Sequence, residues 1–564
     1  MTQQNTIDRP KVSGLGATSL GDPDAELTRL RGYTMWQALS AAAAPDPDKF
    51  VLIGTNDAGE ITRITYAELL TRIRAFSAGL ASIGVRRGDR LVVWMTNTVE
   101  WVVAAFGAMR IGAAVVPVNT FLKPPEIKYF MEQSGARHLV MIDGFRKLVM
   151  PDVLEEICPG VQACTTPGSF FSAELPDMRN IVLFSRSGGK LASAFDFTTL
   201  SLASDEALAL SDRMEGEVRG SDLAMVKYTS GSTAFPKGVM LEQGGIVANG
   251  VLHGRGMGVN SDDVYFSMMP FFHAGGSIYG MMSMLMNGGT LLYTEAFDAN
   301  LAADLIVNEK ATIQVTMLAG EMFQAGADKG YVFDTIRMAG LSDDLSRRMM
   351  PNVTSTFSAF GLTETYAPVA LSSHDPADVV PPGAHLLPGN MCRIVDPETG
   401  LEQPPGVPGE ALLRGNIARG YWNKPVESAK AFDADGWFHS EDLCTLDEQG
   451  RIKWVGRLKL MLKVGGENVS IEEVERVAIG HGDVMACGAV GVPDPRKGEA
   501  VCLYIQTLPD REVDPVALRE WLKPQLAHFK LPREIIVSEA IPHLGSGKVD
   551  RVTLAKWAKE EFGG

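Results

Sequence analysis

The pattern of apolar and polar residues in the first half of the chain alternates between helical and strand periods. In "TYAELLTRIRAFSAGLASIG", which starts at 65, apolar residues stand at 69, 70, 73, 76, 80 and 83, the spacing of one helix face. The turn "GDR" (88–90) leads into "LVVWM", an apolar run typical of a buried strand. A helical stretch at 99–111 then precedes a further strand, "AVVPV". This strand–helix–strand order predicts a mostly parallel, doubly wound α/β architecture.

Two later regions have different patterns. Near 392–414, the segments "CRIVD" and "EALLRG" flank a Pro/Gly-rich stretch at 404–409, which predicts an antiparallel β region. From about 458, strands and helices alternate again up to "IPHLGSGKVDR" near the C-terminus. We therefore predict a flexible tail over 1–30, a large N-terminal domain over 31–457 and a small C-terminal α/β domain over 458–564.

Composition and charge narrow the class of partner. The chain has 564 residues, of which 45% are hydrophobic and 21% charged, as in ordinary globular proteins. The net charge of −16 argues against nucleic acid or an anionic membrane as the main partner. The longest apolar stretch, "VVAAFGAMRIGAAVVPV", is broken by Arg110, so no membrane span is expected. The six scattered cysteines form no C-x-x-C pair and the N-terminus lacks the apolar core of a signal peptide, so we expect a cytoplasmic protein.

One stretch, "YTSGSTAFPKGVML" (228–241), has the composition of an anion-binding loop. Small hydroxyl residues and glycines leave backbone N–H groups accessible, and Lys237 adds a positive charge. Polyphosphate is the expected guest. The stretch is not the common phosphate-binding motif, because Pro236 stands where its second glycine belongs and Gly238 where its Ser/Thr belongs. The alternative is an ordinary Ser/Gly-rich surface loop.

A second stretch, "FGLTET" (360–365), places a hydroxyl beside a carboxylate directly after an apolar segment. Thr363 and Glu364 suit one phosphate oxygen and one magnesium ion, since Mg²⁺ prefers oxygen ligands. The alternative is the start of a helix that Thr363 caps.

Three further stretches carry charged residues near the C-terminal third of the chain. "GWFHSEDL" (436–443) places Asp442 at the end of a strand, where a carboxylate can accept hydrogen bonds from ribose hydroxyls. The alternative interpretation of this stretch is a solvated acidic turn. "GRLKLMLKVGGENVSIEEVE" (456–475) has Arg457 and Lys459 before a strand and then the pair Gly465–Gly466; its alternative is a basic linker. "GSGKVDR" (545–551) puts Lys548 on a Gly/Ser loop.

The order and spacing of these motifs resemble the adenylate-forming superfamily, which contains acyl-CoA synthetases, the adenylation domains of peptide synthetases and beetle luciferases. The resemblance runs from about 34 to the C-terminus and includes "GYWNKP" (420–425) and "GVPDPRKGE" (491–499). It implies a large domain with a small, mobile C-terminal domain. The ATP-binding residues that it implies are Thr229, Ser230, Gly231, Ser232, Thr233, Lys237, Phe360, Gly361, Thr363, Asp442, Arg457 and Lys548.

The resemblance also implies individual roles. The catalytic residues would be Lys548, Glu364, Thr363 and Lys237, with Glu364 holding magnesium. Lys459 would be the hinge about which the small domain turns between the two half-reactions. The segment "MMPFFHAGGSIYGMMSMLM" (268–286) resembles the acyl and gating segment, with the gating residues Phe272, His273 and Gly275. Gly465 and Gly466 would line the path of the CoA thiol.

The function that the resemblance implies is ATP-dependent acyl-CoA ligation: a carboxylic acid becomes an acyl-AMP and is then transferred to coenzyme A. ATP, Mg²⁺ and coenzyme A are the expected cofactor and co-substrates. Two alternatives remain, an enzyme that loads a carrier protein and a nucleotide-binding scaffold without catalysis. The acid stays open among fatty, aryl and polycyclic acids, and a homo-oligomer is one option for assembly. Two departures from the family pattern are Ala234 in the phosphate loop and Glu441 beside Asp442.

Overall fold

The computed structural model describes residues 18–19, 25–229, 236–315, 320–341, 344–376, 378, 382–464, 467–494, 496–526, 528–544 and 548–562. These residues divide into two units. The first contains the described residues up to 392 together with 413–438 and 449–452. The second contains 393–412, 439–448 and the described residues from 453 onward. This division does not coincide with the expected domain boundary after Arg457, which stays a prediction.

The α-helices of the described chain are α1 Ala25–Arg31, α2 Met35–Ala43, α3 Tyr66–Ser82, α4 Val99–Arg110, α5 Pro124–Ser134, α6 Met150–Ile157, α7 Phe197–Leu200, α8 Asp205–Glu217, α9 Gln243–Gly256, α10 Ser283–Leu285, α11 Ala299–Asn308, α12 Gly320–Asp328, α13 Asp344–Met349, α14 Pro425–Ala431, α15 Ile471–Ala478, α16 Pro515–Leu522 and α17 Arg551–Phe562. A π-helix spans Gly275–Met282, and 3₁₀ turns span Thr363–Thr365, Leu458–Leu460 and His528–Lys530.

The strands are β1 Thr18–Ser19, β2 Phe50–Thr55, β3 Ile61–Thr65, β4 Arg90–Trp94, β5 Ala114–Pro117, β6 His138–Ile142, β7 Gly144–Phe145, β8 Leu148–Val149, β9 Asn180–Phe184, β10 Phe195–Asp196, β11 Leu223–Thr229, β12 Lys237–Glu242, β13 Val264–Ser267, β14 Thr290–Thr294, β15 Ile313–Gln314, β16 Met338–Ala339, β17 Thr356–Leu362, β18 Ala367–His374, β19 Ala384–Leu386, β20 Met391–Val395, β21 Gly409–Arg414, β22 Phe438–Leu446, β23 Arg451–Arg457, β24 Met461–Val464, β25 Glu467–Ser470, β26 Val484–Asp494, β27 Gly498–Thr507 and β28 Glu534–Val537.

Two mainly parallel sheets form the centre of the first unit. One has the order β10-β9-β6-β4-β5-β11-β12, in which only the edge pair β11–β12 is antiparallel. The other has the order β16-β15-β13-β14-β2-β3, in which only β2–β3 is antiparallel. Parallel strands need crossover connections, and the chain supplies them with helices such as α4 between β4 and β5. The expected α/β fold is therefore confirmed.

Antiparallel strands complete both units. In the first unit β17 pairs with β18, and β18 pairs with β19. The second unit contains parts of β20, β21, β22 and β23, and these four strands are neighbours in that order. A further sheet of the second unit has the order β25-β24-β27-β26, with β28 parallel to β27.

Helix α3 begins directly after β3, and a capping box formed by Thr65 and Glu68 closes its N-terminus. The Thr65 hydroxyl accepts a hydrogen bond from the Glu68 N–H, and the Glu68 carboxylate accepts one from the Thr65 N–H. Every residue of helix α4 except Glu100 is buried, which agrees with its mostly apolar sequence. No helix among the described residues is both long and apolar enough to cross a membrane.

The end of the expected flexible tail is ordered in the structure. Residues 25–30 belong to α1, in which Leu27 and Leu30 are buried. Their spacing places both side chains on one helix face, and a seven-residue helix is too short to be stable without such packing. The prediction of a tail over 1–30 was therefore wrong for these residues. Residues 1–17 and 20–24 lie outside the described part.

Three helices of the first unit meet at Arg110, the residue that interrupts the apolar stretch. Its buried guanidinium donates to Asp212 of α8 at 2.6 Å, and the Arg74 guanidinium of α3 donates to the same carboxylate at 2.6 Å. The Arg110 guanidinium also lies over the Trp36 ring, 4.6 Å from its centroid. Hydrogen bonds from Arg74, and then from Arg110, lower the pKa of Asp212 from 3.8 to about 2.

We predict that Asp212→Asn lowers the stability of the protein at pH 7 by about 1 kcal/mol, a value reduced for the partial exposure of the carboxylate. Because the folded-state pKa is depressed, this contribution is present above the unfolded pKa and is lost as the pH falls through the folded pKa of about 2. Thermal unfolding of wild type and variant at pH 7 and at steps from pH 4 to pH 2 measures it.

The matched control is Asp57→Asn, which removes an exposed ion pair with Arg146 at 3.1 Å and should change little at either pH. A difference between the Asp212 variant and wild type that stays constant down to pH 2 would contradict the assignment.

Candidate active site

The expected phosphate loop connects the last two strands of the seven-stranded sheet. Thr229 ends β11, Lys237 begins β12, and the two residues pair across the antiparallel ladder. The loop therefore leaves the sheet at the carboxyl end of a parallel strand, the edge at which ligands bind in open α/β sheets. Residues 230–235, which include Ser230, Gly231, Ser232, Thr233 and Ala234, lie outside the described part, so their roles stay predictions.

Lys237 and Glu364 meet at one aromatic ring. The Tyr421 hydroxyl donates a hydrogen bond to Glu364 Oε1 at 2.9 Å, and the Lys237 amine lies 4.4 Å from the centroid of the same ring. Glu364 is only 7% exposed. These contacts bring together three groups: the Lys237 amine of β12, the buried Glu364 carboxylate from the turn after β17, and the Tyr421 phenol from the segment before α14.

The turn that carries Glu364 is built by the residues around it. A side chain at Gly361 would place its Cβ 2.1 Å from the Ala367 carbonyl oxygen, so only glycine fits. Tyr366 and Ala367 follow in left-handed conformations, with φ of 60° and 82°. The Thr365 hydroxyl, rather than that of Thr363, bonds the turn: it accepts from the Leu362 N–H and donates to the Ala367 carbonyl. Thr363 therefore does not act as the helix cap that the alternative interpretation required.

The chemistry of this donor set fits magnesium. Mg²⁺ retains several waters and binds proteins through one or two carboxylates together with substrate phosphates. Among the described residues there is no cluster of three or more His, Cys, Asp or Glu side chains that could enclose a metal. A single carboxylate, Glu364, is what a magnesium ion shared with a nucleotide requires.

The expected acyl segment follows β13 and enters a π-helix. Phe271 is fully buried, with ring contacts to Trp101 at 5.5 Å and Tyr293 at 5.0 Å, so it belongs to the core. Phe272 is 8% exposed and its ring meets Phe121, a largely exposed residue, at 6.4 Å. Phe272 is thus buried, but its ring contacts a residue at the surface of the first unit.

The other two gating residues are half-buried. His273 makes a ring contact with Phe272 at 4.8 Å. Gly275 begins the π-helix, and a side chain there would place its Cβ 2.9 Å from the Met269 methyl. π-helical turns are rare and are frequent at functional sites. Three methionines of the segment are fully buried core residues: Met281, Met282 and Met284.

In the second unit, Asp442 and Arg457 form an ion pair. Arg457 Nε lies 3.2 Å from Asp442 Oδ1, and the Trp454 indole N–H donates to the same oxygen at 3.3 Å. Asp442 is only 2% exposed. It lies inside β22 rather than at the end of a strand as the sequence suggested. The strand is irregular at this point, because the preceding Glu441 has φ of 57°, a left-handed value that is rare for residues other than glycine.

Lys548 lies on a turn of the second unit that two main-chain hydrogen bonds close. The Leu544 N–H donates to the Lys548 carbonyl at 2.7 Å, and the Asp550 N–H donates to the Pro542 carbonyl at 2.8 Å. The residue as a whole is exposed. Protein atoms nevertheless desolvate its amine and Arg457 repels its charge, and both effects lower its pKa, while Asp442 raises it.

The expected hinge residue, Lys459, lies in the 3₁₀ turn Leu458–Leu460 directly after β23. Gly465 and Gly466, expected on the CoA path, lie outside the described residues. Their roles stay predictions.

Sequence reasoning gave no role to Tyr421, which is the residue that connects Lys237 with Glu364. The motif "GYWNKP" drew attention to its segment, but only the fold shows why the segment is there. Main-chain hydrogen bonds join it to β12, from the Met240 N–H to Gly420 at 2.9 Å and from the Trp422 N–H to Gly238 at 2.7 Å. These bonds hold the Tyr421 ring against the start of β12.

The fold is that of an α/β protein whose candidate site lies at the carboxyl edge of a parallel sheet, where ligands bind in such folds. Residues 39–422 match the AMP-binding enzyme family, and residues 473–548 match its C-terminal domain. The first match covers more than half of the chain, which therefore belongs to the AMP-binding enzyme family.

Similar proteins agree with this membership. A CoA ligase of Rhodococcus jostii (strain RHA1), named for a propanoyl chain on a methyl-substituted dioxo-octahydroindene, is 32% identical over 88% of this chain and 94% of its own. The mitochondrial medium-chain acyl-CoA ligase of Mus musculus is 29% identical over 95% of this chain and 89% of its own.

Among solved structures, an anthranilate CoA ligase in complex with anthranoyl-AMP matches with a TM-score of 0.77 at 22% identity, over 94% of this chain and 98% of its own. This similarity concerns the fold. The family match and the relatives named as acyl-CoA synthetases and ligases confirm the expected superfamily and the expected reaction class, ATP-dependent acyl-CoA ligation by an acid–thiol ligase.

We predict that Tyr421→Phe lowers ATP–pyrophosphate exchange by about tenfold, because it removes the hydrogen bond that orients Glu364 while it keeps the ring beside Lys237. Exchange rates measured at several magnesium concentrations test this. Tyr331→Phe is the matched control, since the Tyr331 hydroxyl also bonds a carboxylate, Asp304 at 3.0 Å, away from this site. Equal exchange by the two variants would show that the phenol of Tyr421 has no part in the reaction.

Proposed function

We propose that this ATP-dependent acyl-CoA ligase activates a carboxylic acid with an apolar body and that the residues described above perform the two half-reactions. The observation that carries the proposal is the arrangement at Tyr421: a buried carboxylate and a lysine share one phenol, next to the strand end at which the phosphate loop begins. This arrangement offers a magnesium ligand and a cation to the same polyphosphate.

The reaction needs activation because a carboxylate is a poor electrophile. In the first half-reaction, a carboxylate oxygen attacks the α-phosphorus of ATP, a P–O bond forms, and pyrophosphate leaves with the electron pair of the broken bond. In the second, the sulfur of coenzyme A attacks the carbonyl carbon of the acyl-AMP and AMP leaves. Two anions meet in the first step, so the protein must supply positive charge where negative charge concentrates.

Residues of the first unit bind the phosphates of ATP. The loop that starts at Thr229 holds the β- and γ-phosphates through backbone and hydroxyl donors, and Lys237 neutralises the leaving pyrophosphate. Thr363 orients the α-phosphate. Phe360 provides a stacking face for adenine, and Gly361 follows it in the same ATP-binding motif. Glu364 would hold magnesium, which would supply charge stabilisation to the phosphate oxygens.

Residues of the second unit bind the ribose and the α-phosphate. The Asp442 carboxylate accepts hydrogen bonds from ribose hydroxyls, and the Arg457 guanidinium, 3.2 Å away, holds it in position. Lys548 donates to the carboxylate and α-phosphate oxygens in the first half-reaction. Lys459 is the hinge between the two half-reactions, and Gly465 and Gly466, which carry no side chains, are our proposed residues for the path of the thiol.

The acid binds beside Phe272, His273 and Gly275. Two relatives favour an apolar acid: one is named for a medium-chain acyl group and the other for a propanoyl chain on a two-ring ketone. We propose the same class here, an acid whose carboxylate is carried on a short alkyl chain or a hydrocarbon tail. The exposed Phe121 ring against Phe272 is consistent with an apolar entrance.

Coenzyme A is the proposed acceptor. An enzyme that loads a carrier protein would form the same acyl-AMP but give no thioester with free CoA, and a scaffold would release no pyrophosphate. We place the protein in the cytoplasm, since all six cysteines are free thiols, as is usual in a reducing compartment. A homo-oligomer remains our proposal for its assembly.

The function is tested by incubating the protein with ATP and Mg²⁺ and with octanoate, benzoate or an indane propanoate, while pyrophosphate release and CoA thioester are measured separately. We expect acid-dependent pyrophosphate release, and a thioester only when CoA is present. Glu364→Gln should lower the pyrophosphate release by about 100-fold or more, because it removes the ligand charge and keeps the shape. Release at the wild-type rate by this variant, at limiting Mg²⁺, would contradict the metal assignment.

We predict that Lys548→Ala lowers acyl-AMP formation by about 100-fold or more but leaves the conversion of supplied acyl-AMP and CoA to thioester largely intact. The reason is that only the first half-reaction brings two anions together. Lys556→Ala, which removes an exposed lysine of α17, is the control and should leave both half-reactions unchanged. An equal loss in both half-reactions of a folded Lys548→Ala protein would remove the one-step role.

A further inference from the structure

Lys227 is a buried lysine without a carboxylate partner in the described part of the chain. It lies on β11, two residues before Thr229, and is 3% exposed. Its amine donates a hydrogen bond to the Phe272 carbonyl oxygen at 2.9 Å. Burial lowers its pKa from 10.5 to about 7.

Such a lysine does not serve the stability of the fold. Removing an amine from water is unfavourable unless its donors are satisfied, and a single carbonyl satisfies one of three. A hydrocarbon side chain of similar length would fill the same space without this penalty. The contact at Phe272 is therefore the feature of Lys227 that needs an explanation.

Asn97 holds the same segment from the end of another strand. It follows β4, and its Oδ1 accepts a hydrogen bond from the Phe271 N–H at 2.7 Å. Its Nδ2 donates to the Met269 carbonyl at 3.2 Å. Asn97 and Lys227 thus hold main-chain groups at Met269, Phe271 and Phe272 from the seven-stranded sheet, although the segment continues β13 of the six-stranded sheet.

These bonds set the orientation of the side chains that follow. The Phe272 carbonyl belongs to the peptide that joins Phe272 to His273, so a hydrogen bond to it restrains ψ of the first residue and φ of the second. The His273 N–H closes the turn by donating to the Pro270 carbonyl at 3.0 Å. Phe271 points into the core, where its ring contacts Trp101, whereas the Phe272 ring contacts His273 and the exposed Phe121.

We infer that Lys227 is a positioning residue of the acyl site: by holding the Phe272 carbonyl, it orients Phe272 and His273 for the carboxylic acid. The inference rests on the proposed function, since it assumes that these two side chains contact the acid. It gives Lys227 no contact with the nucleotide and no part in the chemical step.

The test is Lys227→Met, which keeps the length and apolar stem of the side chain and removes the donor. With the best acid of the panel, we expect the KM for the acid to rise about tenfold, as the loss of one positioning hydrogen bond predicts, while kcat and the KM for ATP change less than about twofold. The thermal midpoint should be equal to or higher than that of wild type, because an incompletely bonded amine has left the interior.

Lys49→Met is the matched control. Its amine also donates to a main-chain carbonyl, Gly288 at 2.7 Å, but not to the acyl segment, so its KM for the acid should equal that of wild type. Asn97→Ala, which releases the same segment from the other side, should raise the KM for the acid as Lys227→Met does. If Lys227→Met does not fold, Asn97→Ala tests whether restraint of this segment controls binding of the acid.

An unchanged KM for the acid in a folded Lys227→Met protein, or equal rises in the KM for acid and for ATP, would overturn the inference. Either result leaves the proposed function standing, because wild type would still form acyl-AMP. Failure of the proposed function is a different result, the absence of acid-dependent pyrophosphate release by wild type.

Discussion

The parallel pairing of strands is the constraint on which the rest of the first unit depends. Parallel strands end at a common edge, so residues far apart in the sequence meet there. Asn97 follows β4 and bonds the Met269 and Thr294 carbonyls after β13 and at the end of β14. Thr96 donates to Glu295 at 2.6 Å, and Lys227 reaches Phe272. Polar side chains therefore join the carboxyl edges of the two sheets, and the loop that begins at Thr229 leaves from one of these edges.

The electrostatics of the site follow from where its charges are buried. Glu364 is held in a turn that only Gly361 and two left-handed residues allow, and the Tyr421 phenol satisfies one of its oxygens. In the second unit, Asp442 is buried but is accompanied by Arg457 and Trp454. Burying a carboxylate is costly unless hydrogen-bond donors accompany it, and these neighbours supply such donors.

Much of this arrangement could be predicted from short stretches of sequence, but with characteristic errors. Helix α4 and strand β4 follow from periodicity. Helix α1 was missed, because its two buried leucines gain their stability from packing that no local pattern reveals. Asp442 was expected at the end of a strand; in the structure Glu441 takes a left-handed conformation and the strand continues past Asp442.

The sequence by itself determined the α/β class and the family, because these depend on local periodicity and on motifs of a few residues. Only the tertiary structure decided which of these residues meet. Tyr421 lies between Lys237 and Glu364 because the segment 420–422 bonds to β12, and Lys227 reaches Phe272 because two separate sheets end side by side. Contacts of this kind join residues dozens of positions apart, and their geometry comes from the packing of whole sheets, which no single stretch of the chain encodes.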